Sequence, residues 1–188
     1  MTKRSSSIFL SIVGIFISLP FSAPALSQKA DCGLIAMIFE VDDWKTLANG
    51  PFVDMRKLPV AHDRRAPAKS LLPGLGNCTI WNAKSFTQKT ETDSYTCSAP
   101  LSTARGKDFK SVMNEVNAVA APWRSCFGGW KETSDGGDFA EQVSAVLRFE
   151  KADREVSFGR YYFLKPNMGE FESVWMLFTR AEKPLRDQ

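Results

Sequence analysis

The stretch FKSVMNEVNAVAAPWRSC, residues 109–126, decides the fold class. Phe109, Val112, Met113, Val116, Val119, Ala120 and Trp123 recur at three- and four-residue steps, while Lys110, Glu115 and Asn117 fall elsewhere around the cylinder. That pattern predicts an amphipathic helix with one apolar stripe, which has to be buried against a second layer. Cys126 extends the stripe if the helix survives Pro122, where the missing backbone donor predicts a kink or a restart.

The residues that follow supply the second layer. Val143, Ala145, Leu147 and Phe149 alternate with Ser144, Val146, Arg148 and Glu150, and Ala152-Asp153 marks a bend before 155–163, so this region reads as a β-hairpin. Ahead of it, 128–133 reads as a short strand and SDGGD, 134–138, as a turn or loop. Beyond it, 164–170 reads as a loop around Pro166 and Gly169. The five apolar residues 174–178 then suggest a strand covered on both faces, or on one face plus a partner. On the N-terminal side, 78–83 and 94–99 read as two short strands joined by the polar loop 84–93 and ended by Pro100. Alternation puts Cys78 with Ile80 and Tyr95 with Cys97, so both cysteines are expected to face the core.

Further upstream, Leu34, Ile38, Val41 and Trp44 predict a first helix over about 31–48, with Asp31 as N-cap and Asn49-Gly50-Pro51 as stop. A strand over 35–41 is the alternative, because that run is nearly continuous in apolar residues. Residues 50–77 read as a long Pro-rich connection, with prolines at 51, 59, 67 and 73 and glycines at 74 and 76; 182–188 reads as a frayed tail. The expected architecture is α+β, a single antiparallel sheet of five to six strands with two helices on one face and two disulfides, in one domain over 28–188.

Residues 1–27 have the three-part layout of a secretory signal peptide. Thr2, Lys3 and Arg4 begin it, an apolar run follows over 8–21, and a small-residue region, 22–27, leads to a cut after Ser27 or one frame earlier. The apolar run is 14 residues long, against the ~20 a spanning helix needs, so no membrane span is expected after cleavage. Cys32 follows Lys29-Ala30-Asp31 rather than a lipoprotein box. Removing the leader takes two of the 24 basic residues and leaves 22 against 21 acidic ones. A net charge of +1 on that basis carries no electrostatic footprint for nucleic acid.

All four cysteines, Cys32, Cys78, Cys97 and Cys126, lie beyond the expected cut, and an even count in an exported chain predicts two structural disulfides. Connectivity stays open: a symmetric hairpin pairs Cys78 with Cys97, and core-facing strand cysteines could equally reach Cys32 and Cys126. No two cysteines form a C-x-x-C element and His62 is the single histidine, so neither a redox pair nor a Cys/His metal site is expected.

The chain carries no G-x-S-x-G, no phosphate-binding glycine loop and no H-E-x-x-H, which leaves an enzyme to run on carboxylates, lysine or His62. His62 lies in VAHDRR, 60–65, beside Asp63; Arg56, Lys57, Arg64, Arg65 and Lys69 make the same segment basic, suited to a phosphate, an acidic lipid or an acidic partner. Asp42 and Asp43 point about 100° apart on a helix and cannot work on one bond together. Asp135, Asp138 and Glu141 surround a double glycine without the spacing of an EF-hand loop. The 5 Trp, 3 Tyr and 14 Phe are core residues by default, and a surplus on a one-sided sheet would form a groove or partner surface.

The order of a first helix with Cys32, Leu72-Pro73-Gly74 before Cys78-Thr79-Ile80, Tyr95-Thr96-Cys97, an amphipathic helix ending in Cys126, and Gly129-Trp130 resembles a group of uncharacterised exported proteins of Gram-negative bacteria, over residues 32 to 130. The resemblance implies a periplasmic or secreted location and a four-cysteine framework, and no functional residue. The functional expectation is a non-catalytic binding or accessory protein of the bacterial periplasm, meeting an envelope protein or small ligand through Arg56, Lys57, His62, Arg64 and Arg65. No cofactor and no metal are expected. A small envelope hydrolase using carboxylates or His62 is the alternative.

Overall fold

The structure, a computed structural model, describes residues 30–99, 108–163, 174–181 and 183–185. The expected leader, Pro100, the 164–170 loop and the last three residues lie outside them. In chain order the elements are α1 (Cys32–Glu40), a 3-10 turn (Trp44–Leu47), β1 (Val53–Leu58), β2 (Ala61–Pro67), β3 (Gly76–Ser85) and β4 (Thr90–Ala99). Then come α2 (Phe109–Ala120), a second 3-10 stretch (Ala121–Phe127), β5 (Lys131–Asp138), β6 (Gln142–Lys151), β7 (Arg154–Phe163), β8 (Val174–Arg180) and β9 (Lys183–Pro184).

The strands form one sheet in the order β1-β2-β3-β4-β8-β7-β6-β5, with β9 beside β4, and every pairing is antiparallel. Two four-stranded meanders are thus joined through β4 and β8, and α2 leads from one to the far edge of the other. Among the described residues nine strands replace the five to six expected; the α+β class and the two helices stand. One face carries the core rows: Ile80, Tyr95, Phe178 and Val156 run through Phe149, and Cys97, Met176 and Phe158 through Leu147. Ile35, Ile38 and Phe39 of α1 and Val112, Val116 and Ala120 of α2 join them in one buried cluster.

Local chemistry sets the helix ends. Asp31 accepts from the Gly33 N–H at 2.9 Å and Asp108 from the Ser111 N–H at 2.9 Å, both as N-caps. Pro122 converts the end of α2 to 3-10 geometry without stopping the chain's helical course, which carries Trp123 and Phe127 into the core. The first helix ends at Glu40 rather than near Ala48. Its last carbonyls are taken from the side: Trp44 Nε1 donates to Ile38 O at 2.7 Å, and the Arg180 guanidinium donates to the carbonyls of Phe39, Val41 (2.6 Å) and Asp42 (3.2 Å). Val41 turns extended, and Asp43 caps the next short turn by accepting from Lys45 N–H at 3.0 Å.

Four expectations of irregular structure fall. Within 50–77 the prolines sit where no ladder donor is needed: Pro51 precedes β1, Pro59 lies in the β1–β2 turn, Pro67 ends β2 and Pro73 lies in the next turn, so two strands fit between them. The 134–138 segment continues β5. Gly136 adopts a φ of +128° and lets β5 press so close to β6 that a Cβ there would collide with the Ser144 carbonyl oxygen. In the tail, Lys183 and Pro184 pair with Glu91 and Thr90. The loop expected over 84–93 shrinks to the turn between Ser85 and Thr90.

The disulfides are Cys32–Cys126 and Cys78–Cys97. The second closes the β3–β4 hairpin, and the first ties α1 to the 3-10 stretch after α2. Among the described residues no helix is long and apolar enough to cross a membrane.

Candidate functional site

The β1–β2 hairpin is the segment on which the sequence places its partner-binding residues. β1 is an edge strand, and all six of its residues are exposed. Across the pair, Arg56 lies opposite Asp63, Lys57 opposite His62 and Asp54 opposite Arg64, with a bulge between Asp54 and Arg56. Arg56 forms an ion pair with Asp63 at 2.6 Å. His62 Nε2 lies 2.8 Å from Asp54 Oδ1, and Arg64 lies 3.7 Å from the same oxygen. The sequence neighbour Asp63 is therefore not the carboxylate that holds His62; strand alternation turns the two side chains to opposite faces. The His62 hydrogen bond keeps the Asp54 carboxyl below its ordinary range. Arg64 also lies over the Phe52 ring and Arg65 over Trp81, at 5.1 and 5.7 Å.

All five predicted residues are thus brought together on one hairpin. The apolar residues among them were missed: Val53, Met55, Leu58 and Val60 are exposed, and Phe86 of the β3–β4 turn is 45% exposed beside them. The Phe86 N–H donates to Val60 O at 3.0 Å, so the two turns form one corner.

No protein-family model, no curated protein and no solved structure matches this chain. Function has to be read from the chain's own geometry.

Beside the corner lies an open cleft of about 760 Å³, lined by Asp42, Asp43, Lys45, Lys84, Phe86, Lys89, Glu91, Asp93 and Lys183 among others. Its charges are largely matched within the wall. Lys45 Nζ is 2.7 Å from Glu91 and 3.9 Å from Asp93, and the buried Asn82 amide donates to Asp93 at 2.8 Å and to Glu91 at 2.5 Å. For Glu91, burial acts to raise the pKa, but the hydrogen bonds from Lys45 and Asn82 outweigh it and hold the carboxyl below its ordinary 4.5. Such a group stabilises the fold fully above about pH 4.5, and that contribution is lost as pH falls through the folded-state value. The urea midpoint is accordingly expected to decline as pH falls below about 4.5. Glu91→Gln should flatten part of that slope and lower stability at neutral pH by about 1 kcal/mol or less, given the solvent access of the pair. A slope unchanged by Glu91→Gln contradicts this assignment.

The remaining sequence candidates disperse. Asp42 offers its carbonyl to Arg180 and Asp43 caps a turn. Asp135 lies 3.5 Å from Arg148, while Asp138 accepts from the Phe109 N–H at 2.8 Å, tying β5 to the start of α2. These two carboxylates serve different partners rather than one ion. Of the aromatic residues, Phe149 and Phe158 are buried in the core, whereas Trp175 stacks on Tyr161 across the opposite face, over Gly159, where any Cβ would meet the indole.

Proposed function

We propose that this is a non-catalytic binding or accessory protein of the bacterial periplasm, and that it meets an acidic partner through the β1–β2 hairpin and the adjoining β3–β4 turn. One observation carries the reading. Of the eight large apolar residues exposed among the described residues, five lie on this hairpin and the adjoining turn: Val53 and Met55 along β1, and Leu58, Val60 and Phe86 at the corner itself. Around them, Arg56, Lys57, Arg64, Arg65, Lys84 and Lys89 face only Asp54 and Asp63 within 53–67 and 84–89. Clustered exposed apolar side chains with a one-sided charge mark interaction surfaces. The leader pattern of 1–27 and the two disulfides support an oxidising compartment.

The hydrolase alternative has one observation in its favour, the His62–Asp54 hydrogen bond, since a carboxylate can orient an imidazole as a general base. A base needs a nucleophile or substrate held against it, and this pair stands on an exposed hairpin. Affinity capture from envelope extract separates the readings. The protein should retain a partner that salt elutes, and the variant R56S/K57S/R64S/R65S should retain it at least roughly tenfold less well. Equal recovery by both forms, or turnover of a substrate that is lost on His62→Ala, would sink the binding reading.

A further inference from the structure

We propose that the acidic partner is an anionic lipid surface, and that the corner is a membrane-docking tip: Leu58, Val60 and Phe86 enter the interface while Lys57, Lys84 and Lys89 lie among the headgroups. This rests on the binding reading above and names its ligand.

The placement follows from strand register. Leu58, Ala61 and Ser85 form the last row of the β1–β2–β3 ladder, and the Pro59-Val60 and Phe86 turns project beyond it, joined by the Phe86 N–H to Val60 O bond. Lys57, His62 and Lys84 form the row immediately behind. Successive residues along a strand are ~3.4 Å apart, so apolar tips and cations are offset by a few ångströms along one axis. That is the layering of the interface, where apolar groups sit ~5–10 Å deep and cations meet anionic headgroups. Lys89 lies at the end of the β3–β4 turn, where its carbonyl accepts from the Leu185 N–H at 2.9 Å, so the 183–185 segment braces that side of the corner.

The charge balance survives a wider census. Glu91 lies opposite Lys84 and Asp93 further back, and both are engaged by Lys45 and Asn82. Asp63 is engaged by Arg56, and Asp54 by His62 and Arg64. Asp42 and Asp43 line the adjoining cleft together with Lys45 and Lys183, and Lys57, Lys84 and Lys89 are the cations next to the apolar turns. Addition of a partner strand is disfavoured by the same edge. β1 carries a bulge after two residues, has Arg56 and Lys57 in it, and is flanked by Pro51 and Pro59, all devices that blunt an edge against backbone pairing. Contact through convex side chains at the turns remains.

The test is flotation of the purified full chain, as recovered from an expressing Gram-negative host, with two kinds of vesicle: phosphatidylethanolamine with phosphatidylglycerol, and phosphatidylcholine alone. Wild type is expected to float with the anionic vesicles, to release as salt is raised, and to bind the neutral ones at least roughly tenfold more weakly. L58S/V60S/F86S should lower anionic-vesicle binding by roughly tenfold or more, and K57S/K84S/K89S by roughly a hundredfold, at about fivefold per surface cation removed. Control changes at exposed apolar residues elsewhere, M37S and F139S, should leave binding intact; near-UV circular dichroism confirms folding of every form. Intact mass of each preparation first confirms that the apolar stretch over 8–21 has been removed, so that flotation reports on the corner alone. Equal binding to both vesicles, no binding, or binding insensitive to L58S/V60S/F86S overturns the lipid assignment. If vesicles fail but charge-dependent capture of an acidic protein succeeds, the hairpin reading stands and its ligand is a protein; if both fail, both readings fall.

Discussion

Replacing Cys32 and Cys126 together with serine is expected to lower the thermal midpoint by roughly 10–15 °C, more than loss of the other disulfide. The bond spans a sequence separation of 94, so in the unfolded chain it removes loop freedom worth ~4–5 kcal/mol, against ~3 kcal/mol for Cys78–Cys97 with its separation of 19. For a domain of this size each kcal/mol moves the midpoint by ~2–4 °C. The position of the bond adds to its weight. α1 has nine residues, too few to persist alone, and it is held by Ile35, Ile38 and Phe39 in the core, by Arg180 at its C-terminal end and by this disulfide at its first residue. Cys78–Cys97 instead cross-links strands that a ladder already pairs from Gly76 to Ser85. Calorimetry of the two double variants decides the matter; a smaller loss for C32S/C126S than for C78S/C97S would show that the long loop is already constrained before folding.

Breaking the ion pair between Glu115 of α2 and Arg160 of β7 is expected to cost about 3–5 kcal/mol. Arg160 is 4% exposed, and it stands on the helix-covered face opposite Ala145, directly under α2. Glu115→Leu removes this carboxylate from a guanidinium in low-dielectric surroundings, which is costly; removing both charges in Glu115→Leu/Arg160→Met leaves apolar side chains of similar reach. Urea unfolding of the two single variants and the double should therefore form a non-additive cycle, with the double variant more stable than Glu115→Leu alone. Additive losses would show that the two charges do not stabilise one another. The pair also marks a limit of periodicity: Glu115 falls off the apolar stripe of α2, yet it is buried against a cation that strand register brings beneath the helix.

Much of the fold was legible because it is written in local rules. Asp31 caps α1, the 109–120 stripe makes α2, alternation over 143–149 puts Val143, Ala145, Leu147 and Phe149 in the core, and alternation in the β3–β4 hairpin turns Cys78 and Cys97 to the core. Each depends on residues within a turn or two of one another, so each survives without knowledge of the rest of the chain. The basic residues of the candidate site were also visible by composition. The form of that site was not. Val53-Asp54-Met55-Arg56 alternates for only four residues before Lys57 breaks the pattern, β1 buries none of its side chains, and its flanking prolines make it look like a connection.

Partner choice belonged to tertiary structure throughout. The sequence offers His62 the adjacent Asp63, but the pleat separates adjacent side chains, and the cross-strand Asp54 takes the imidazole. It offers three disulfide connectivities, and packing of α1 beside the 3-10 stretch after α2 selects Cys32–Cys126. It offers Arg180 as one more charge near the end of a strand; only the docking of α1 on the sheet gives that guanidinium the carbonyls of Phe39, Val41 and Asp42. The reason is common to all three: a residue's backbone state is set by neighbours a few positions away, whereas its partner is set by register and layer packing, which link residues as far apart as 141 positions.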